Sequence, residues 1–417
     1  MSAEKPYDRR TVWAWALYDF GNSSFAVLFA AMYSVYYTKY VVEPTGAPSD
    51  AIWGAVIASS MLLVAISAPF VGGIADHTGR RKRLLAAYTV LGIGAVLALP
   101  LVGPGGTRMV LFGGIMAALA NIGFEGGLVF YNAYLPDIAP AERRGRVSAL
   151  GFAVGYAGSL VALAIAWPLL EHGQWSWIWI AIAVQWALFA LPTFLRLPPD
   201  RPTGMGLMAA AKQGFTQTLA TIKDVWGMPD LRRFLIAFFV YMDGVITVVF
   251  FAARYADKTL GFTPVQTLGM LAIVQVTALL GSLLMGPPTD KFGPRWTVRI
   301  MLVWWVGVAI AAYLAQDRIF FLVVAGLAGL GLGSIQAASR AFMARLIPAG
   351  RESELFGFYA LCGKTGSILG PVTFGVVTIL TDGNQRPAVL AVGAFYLLGL
   401  LLLKGVSDKP VDQRPAD

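Results

Sequence analysis

Apolar residues in this chain gather into runs about as long as a membrane is thick, separated by short polar breaks. Twelve runs stand out, centred near Ala26, Leu63, Ala95, Ala117, Leu163, Ala187, Ile246, Ala278, Val308, Ala328, Ile368 and Leu398. A helix that crosses a bilayer takes about 20 mostly apolar residues, so each run predicts one spanning helix. The runs are apolar all round, as expected of helices that face both lipid and their neighbours. The polar stretch 196–230 contains Pro198, Pro199, Pro202 and several charges. It predicts a linker between an N-terminal bundle over 1–195 and a C-terminal bundle over 231–417. Within it, Ala209 to Val225 is expected as a short interfacial helix. At the start, Arg9 and Arg10 lead straight into a full-length span, which is not the pattern of a cleaved signal.

Composition agrees with this pattern. Of 417 residues, 57% are hydrophobic and 13% charged, against roughly 25% charged in soluble domains. The formal charge of +9 raises the question of nucleic acid. Its distribution answers against that. With twelve spans and both ends on one side, most of the 32 Lys and Arg fall on that side, among them Arg80, Arg81, Arg143, Arg144, Arg146, Arg232, Arg233, Arg295 and Arg351. Lys39, Arg108, Arg254, Lys258, Arg318 and Arg386 fall on the other. Such a bias places both termini in the cytoplasm. Cys362 is the only cysteine, and His77 and His172 lie in predicted loops, so no disulfide, metal centre or cofactor is expected.

Two repeats tie the halves together. Gly72-Gly73-Ile74-Ala75-Asp76-His77-Thr78-Gly79-Arg80-Arg81-Lys82-Arg83 follows the second run, and Gly286-Pro287-Pro288-Thr289-Asp290-Lys291-Phe292-Gly293-Pro294-Arg295 follows the eighth. Each has an Asp three residues before a Gly and then basic residues. At an offset of 208 residues, Gly123, Pro140, Arg143, Gly155, Gly158 and Ser159 match Gly331, Pro348, Arg351, Gly363, Gly366 and Ser367. The paired loops resemble the cytoplasmic signature between helices 2 and 3, and again 8 and 9, of the major facilitator superfamily. That resemblance implies an all-α integral membrane protein of twelve transmembrane helices in two pseudo-symmetric six-helix bundles. In the loops, Asp76 and Asp290 are expected to accept hydrogen bonds from a helix N-terminus or to pair with Arg, favouring one closed state. Arg80, Arg83 and Arg295 are their expected partners, or contacts for lipid headgroups. Gly151-x-x-x-Gly155 with Gly158, and Gly366-x-x-x-Gly370 with Gly375, read as small faces for close helix packing.

Charges inside the spans carry the candidate chemistry, because each costs about 2.5–3.5 kcal/mol to place near the bilayer centre. Asp19 lies in the first span, Glu125 in the fourth, Asp243 in the seventh and Lys364 in the eleventh. Asp243 and Lys364 are each about ten residues in, roughly 15 Å deep. In the superfamily the first, fourth, seventh and tenth helices line a central cavity. The expected substrate or ion site is therefore Asp19, Asn22, Asn121, Glu125, Tyr131, Asn132, Asp243, Lys364 and the tenth-span set Gln336, Ser339 and Arg340. Purely structural ion pairs are the alternative, Glu125 with Lys364 being one.

A narrower resemblance runs through both halves. It is carried by Tyr18-Asp19-Phe20, Phe130-Tyr131-Asn132-Ala133-Tyr134-Leu135-Pro136, Tyr241-Met242-Asp243-Gly244-Val245, Gln336-Ala337-Ala338-Ser339-Arg340, Ala344-Arg345-Leu346-Ile347-Pro348 and Phe356-Gly357-Phe358-Tyr359 with Gly363-Lys364. These strings resemble the vacuole-effluxer-like branch, whose bacterial members are known as unknown major facilitators. The branch implies export of amino acids or similar small solutes by alternating access; Asp243, Glu125, Lys364 and Arg340 would pair an amino acid's two charges or, instead, serve a proton relay. The fourth span lacks Arg-x-x-Gln-Gly and the fifth lacks the full Gly-Pro-x-x-Gly-Gly, which argues against a multidrug antiporter. Aromatics near the cavity helices (Trp13, Trp15, Phe20, Phe25, Phe130, Tyr131, Phe250, Phe251) would suit a lipid or lysolipid cargo instead. A receptor or scaffold without flux is a third reading. An enzyme is not expected, since no triad or His cluster converges, and no Gly-x-x-x-x-Gly-Lys-Ser/Thr loop offers ATP. The expected partners are a small-molecule substrate and membrane lipids, with the chain a monomer in a bacterial inner membrane.

Overall fold

The computed structural model of the chain describes residues 8–204, 216, 220–221, 223–365, 369–382 and 384–407. Its long elements are all helices. In chain order they are α1 Arg9–Leu28, α2 Ser49–Thr78, α3 Arg81–Ala98, α4 Thr107–Ala133, α5 Arg144–Glu171, α6 Trp175–Arg196 and α7 Pro229–Leu260. They continue with α8 Pro264–Phe292, α9 Pro294–Leu314, α10 Arg318–Leu346, α11 Glu352–Thr365, α12 Leu369–Leu380 and α13 Arg386–Leu402. Among the described residues eight helices, α2–α6 and α8–α10, are long and apolar enough to cross a membrane, and α13 is a shorter apolar helix. α1 gives positions to Asp19, Asn22 and Ser24, and α7 to Asp243 and Thr247, all buried inside the protein.

The expected eleventh span comprises α11 and α12, with Gly366, Ser367 and Ile368 outside the described residues. Most of the expected interfacial helix from Ala209 also lies outside them, and residues 223–227 are helical. The side chains of Phe250 and Phe251 are likewise outside the description.

Local chemistry sets the helix ends. Asp8 caps α1 through the Arg10 and Thr11 amides, and Thr263 with Gln266 forms a capping box ahead of Pro264. Gly79 ends α2 in the left-handed region at φ 63°, where a residue with a Cβ is strained. Its carbonyl then accepts from the Arg201 amide at 3.0 Å, which docks the start of the linker onto the signature loop.

α1 packs against α5 and α6, α4 against α2 and α3, α8 against α10, and α13 against α7 and α9. Two broad seams join the N-terminal helices to the C-terminal ones, α2 on α11 and α5 on α8, with smaller contacts of α5 on α10 and α4 on α11. The seams are tight at the signature-loop end. A Cβ on Gly72 would meet the Ser353 backbone, and one on Gly357 would lie 2.6 Å from the Ala68 carbonyl. Burial then falls along α11: Glu352 to Phe358 are buried, and Tyr359 to Lys364 only half so. The protein is shut at the signature-loop end and loosens toward the opposite end.

Candidate functional site

Asp19 and Arg340 meet across the seam. α1 places Asp19 against the glycine face of α5, where a Cβ at Gly155 lies within 3.3 Å of the Asp19 Cβ and one at Gly158 would fall on the Phe20 backbone. Arg340 enters from α10, with only 2% of its surface exposed. Its Nη1 lies 3.4 Å from Asp19 Oδ2 and 3.2 Å from Asn132 Oδ1, its Nε donates to Ser148 Oγ at 2.9 Å, and its Nη2 to the Ser148 carbonyl at 2.6 Å. Tyr131 donates to the same Asp19 oxygen at 2.8 Å. The guanidinium lies over Phe152 at 4.1 Å and Trp15 at 4.8 Å. A cation this buried needs every donor engaged, and aromatic faces add to its stabilisation. Around it, Gln336 accepts from Tyr156 at 2.6 Å, Ser339 lies 2.7 Å from the Tyr241 hydroxyl, and Ser148 donates to the Ala337 carbonyl at 2.7 Å. Asn132 and Arg340 are 208 residues apart, so positions that match in the repeat touch each other across the seam.

A second pair stands further along. Lys364 Nζ is 2.5 Å from Glu125 Oε1, which makes α4 and α11 partners, while Glu125 Oε2 has no hydrogen-bond partner among the described residues. Glu125 is eight residues before the end of α4 at Ala133, roughly 12 Å along the axis. The Lys364 side chain keeps 28% exposure, the Glu125 side chain 6%. One turn before Glu125, Asn121 donates to Ser60 of α2 at 2.9 Å. Asp243 joins neither pair. Its Oδ2 accepts from the Gly370 amide of α12 at 2.7 Å, and its Oδ1 is buried without a partner among the described residues. Asn22 is buried as well, and its Nδ2 has no hydrogen-bond partner among the described residues.

The signature loops act reciprocally. Asp76 accepts from the Ser353 and Glu354 amides at 3.2 and 2.9 Å, capping α11, and Asp290 accepts from the Gly145 amide at 2.7 Å, capping α5. A carboxylate at a helix N-terminus is stabilised by the unpaired amides and the helix dipole. The arginine on Asp76 is Arg81, at 3.1 Å, rather than Arg80 or Arg83. Arg81 also reaches Asp137 at 2.7 Å and Glu352 at 3.0 Å. α3 begins at Arg81, and successive helical residues point about 100° apart, so only one of the three basic residues faces the seam. Arg83 lies 3.8 Å from Asp200, and the Nε of Arg80 has no partner among the described residues. On Asp290 the arginine is Arg146, its Nε at 3.3 Å, whereas Arg295 lies in the first turn of α9.

Asp76→Asn and Asp290→Asn remove the charge from these caps, each worth roughly 1 kcal/mol or somewhat more in a buried setting. Each is expected to raise the reactivity of Cys362 toward a membrane-permeant maleimide severalfold, without altering which solute binds. A changed solute profile would contradict a purely gating role.

Sequence reasoning missed Asp137, Glu352, Ser148, Tyr156 and the part played by Arg81, and it read Trp15 only as one of the aromatics near the cavity helices. Arg81 was visible only as one of a basic run. The others are ordinary polar or aromatic residues whose importance comes from what faces them. Gly375, read as part of a packing face, has open space around its Cβ direction.

Comparison with known proteins gives the family. Residues 48–410 match the family described as vacuole effluxer Atg22 like. The uncharacterized MFS-type transporter YxiO of Bacillus subtilis is 29% identical over 410 residues, covering 95% of this chain and 94% of that protein. Autophagy-related protein 22 of Yarrowia lipolytica is 23% identical, covering 82% of this chain and 72% of that protein. Among solved structures, the human organic anion transporter MFSD10 superposes with a TM-score of 0.77 at 14% identity, over 95% of this chain and all of that one. At that identity the likeness concerns the fold alone. The sequence match carries the rest: the chain is a multi-pass membrane transporter of the major facilitator type and belongs to the Atg22-like vacuole effluxer family.

Proposed function

We propose that the protein is a secondary active transporter that moves an amino-acid-like solute out of the cytoplasm by alternating access, in a bacterial inner membrane. In this reading twelve spans form bundles over 1–195 and 231–417, joined by the 196–230 linker, with both termini cytoplasmic. The observation that carries it is the Glu125–Lys364 pair. It bridges the N-terminal and C-terminal helices at mid-span depth, where the seam loosens. An α-amino acid brings one ammonium and one carboxylate. It can take Glu125 with the first and Lys364 with the second, so both protein charges stay paired while the bridge between the helix sets is broken. Binding and release of the seam then become one event, which is what coupling a solute to a conformational change requires.

Asp243 is the proposed proton carrier. One of its oxygens is fixed by the Gly370 amide and the other has no partner among the described residues, so a proton can be added there without dismantling a described hydrogen bond. Asp243→Asn is expected to fold normally and to lose the pH dependence of transport; an unchanged pH profile in liposomes would remove Asp243 from the coupling route.

Ligand-dependent melting of the purified protein tests the solute class. A ligand at 100 times its dissociation constant adds about 2.7 kcal/mol. Neutral amino acids are expected to raise the melting temperature, and their amides or decarboxylated amines to do so far less. Stabilisation by lysolipids alone would favour the lipid-cargo reading instead.

A further inference from the structure

Three arginines converge where α1 and α5 begin. Arg9, Arg143 and Arg146, with Val12, Trp13 and Leu150, line a hollow of about 370 Å³, and no acidic residue is among the described residues of its wall. Arg9, Arg143, Arg146 and Trp13 are all exposed. A second hollow of about 270 Å³ shares Arg146 and Leu150 and continues between α5 and α8 along Leu283, Gly286 and Pro287. Leu150 is six residues past the start of α5, roughly 9 Å along the axis. The pair of hollows therefore runs from a cluster of cations at the helix ends to an apolar groove one side chain deeper. Trp13 beside the arginines is the residue type that settles at the headgroup level of a membrane.

We propose that this is a site for an anionic phospholipid of the surrounding bilayer, its phosphate held by Arg9, Arg143 and Arg146 and one acyl chain lying in the α5–α8 groove. The charge pattern selects the ligand. A zwitterionic lipid offers a phosphate offset by its own ammonium, and among the described residues the wall of the hollow has no carboxylate to receive that ammonium, Asp290 being already paired with Arg146. A phosphatidylglycerol-type headgroup leaves the negative charge whole. Arginine forks match phosphate oxygens in geometry as well as charge. The acyl groove separates a lipid from free phosphate, which has nothing to place there. Arg146 also holds Asp290 at the α5–α8 seam, so the site adjoins one of the two caps that shut the signature-loop end.

The test titrates phosphatidylglycerol into phosphatidylcholine nanodiscs holding the full-length protein and follows the melting temperature. Each surface Lys or Arg contributes about 1 kcal/mol to binding an anionic membrane. Arg9→Gln with Arg143→Gln is therefore expected to weaken the apparent phosphatidylglycerol affinity about thirtyfold, while the Arg9→Lys, Arg143→Lys pair keeps most of it. Arg9→Gln alone, at an exposed helix start, is expected to lose about fivefold and serves if the double variant does not fold. Arg108→Gln, at the opposite end of α4, is expected to leave the affinity unchanged. The proposal is overturned if the glutamine variants respond to phosphatidylglycerol as the wild type does, or if the wild type does not respond. It is also overturned if inorganic phosphate in phosphatidylcholine nanodiscs gives the full stabilisation.

Discussion

Arg340→Ala is expected to destabilise the protein by about 4 kcal/mol and to abolish transport. The substitution leaves the buried Asp19 carboxylate with Tyr131 as its remaining described hydrogen-bond donor, and strips donors from Asn132 and from the Ser148 carbonyl. Removing one partner of a buried ion pair costs about 3–5 kcal/mol, because the surviving charge has lost both water and its counterion. The loss of the cation above Phe152 and Trp15 adds to this. Asp19→Asn in the same chain is expected to recover part of the stability and none of the transport. Arg340→Lys should fall in between, since an ammonium cannot span Asp19, Asn132 and Ser148 at once. Reversible unfolding in mixed detergent micelles reads the stability. Wild-type stability in Arg340→Ala would mean that water reaches Asp19 and that the seam is not dry there.

Lys364→Ala carries the second large effect, about 2–3 kcal/mol. The figure is lower than for Arg340 because Lys364 is partly exposed and Glu125 can draw on solvent through the same opening. Glu125→Gln in the Lys364→Ala background should restore most of the loss, since a neutral amide tolerates burial that a carboxylate does not. Rescue by Asp19→Asn or Asp243→Asn is not expected, because neither acid touches Lys364. Equal rescue by all three would mean that Lys364 acts through the general field and not through one partner.

Much of this architecture is legible in the chain because it depends on local pattern. Apolar length gives the spans, and the repeated Asp-x-x-Gly loops give the relation between the two helix sets. Depth within a span marked Asp19, Glu125, Asp243, Lys364 and Arg340 as groups that need partners. Which partner each takes was less accessible. Arg81 cannot be told from Arg80 or Arg83 until the first residue of α3 is known, and a shift of one position turns a side chain by about 100°. Asp243 reads as a free cavity acid, and its bond to the Gly370 amide depends on which part of an apolar run comes to face it. Ser148 and Tyr156 carry no signal of their own. The contact between Asn132 and Arg340 did have a trace, in the offset of 208 that relates them. Residues near an internal axis of symmetry meet their own counterparts, so the repeat that located the helices also located a contact.

Asp76 and Asp290 show how one device serves both seams. Each signature loop caps the helix that opens the other set's tight seam, α11 in one case and α5 in the other. In the proposed alternating-access cycle, opening the signature-loop end would break both caps. In that cycle a solute that displaces the Glu125–Lys364 pair would lower the cost of opening the seam it bridges.

Exchange of a labelled neutral amino acid across proteoliposome membranes tests the central claim most directly, with wild type and the Glu125→Gln, Lys364→Ala double variant side by side. The account expects exchange by the wild type, saturable and competed by unlabelled amino acid, and none by the double variant although it is folded. Undiminished exchange by the double variant, or no amino acid exchange by well-folded wild type, would contradict it.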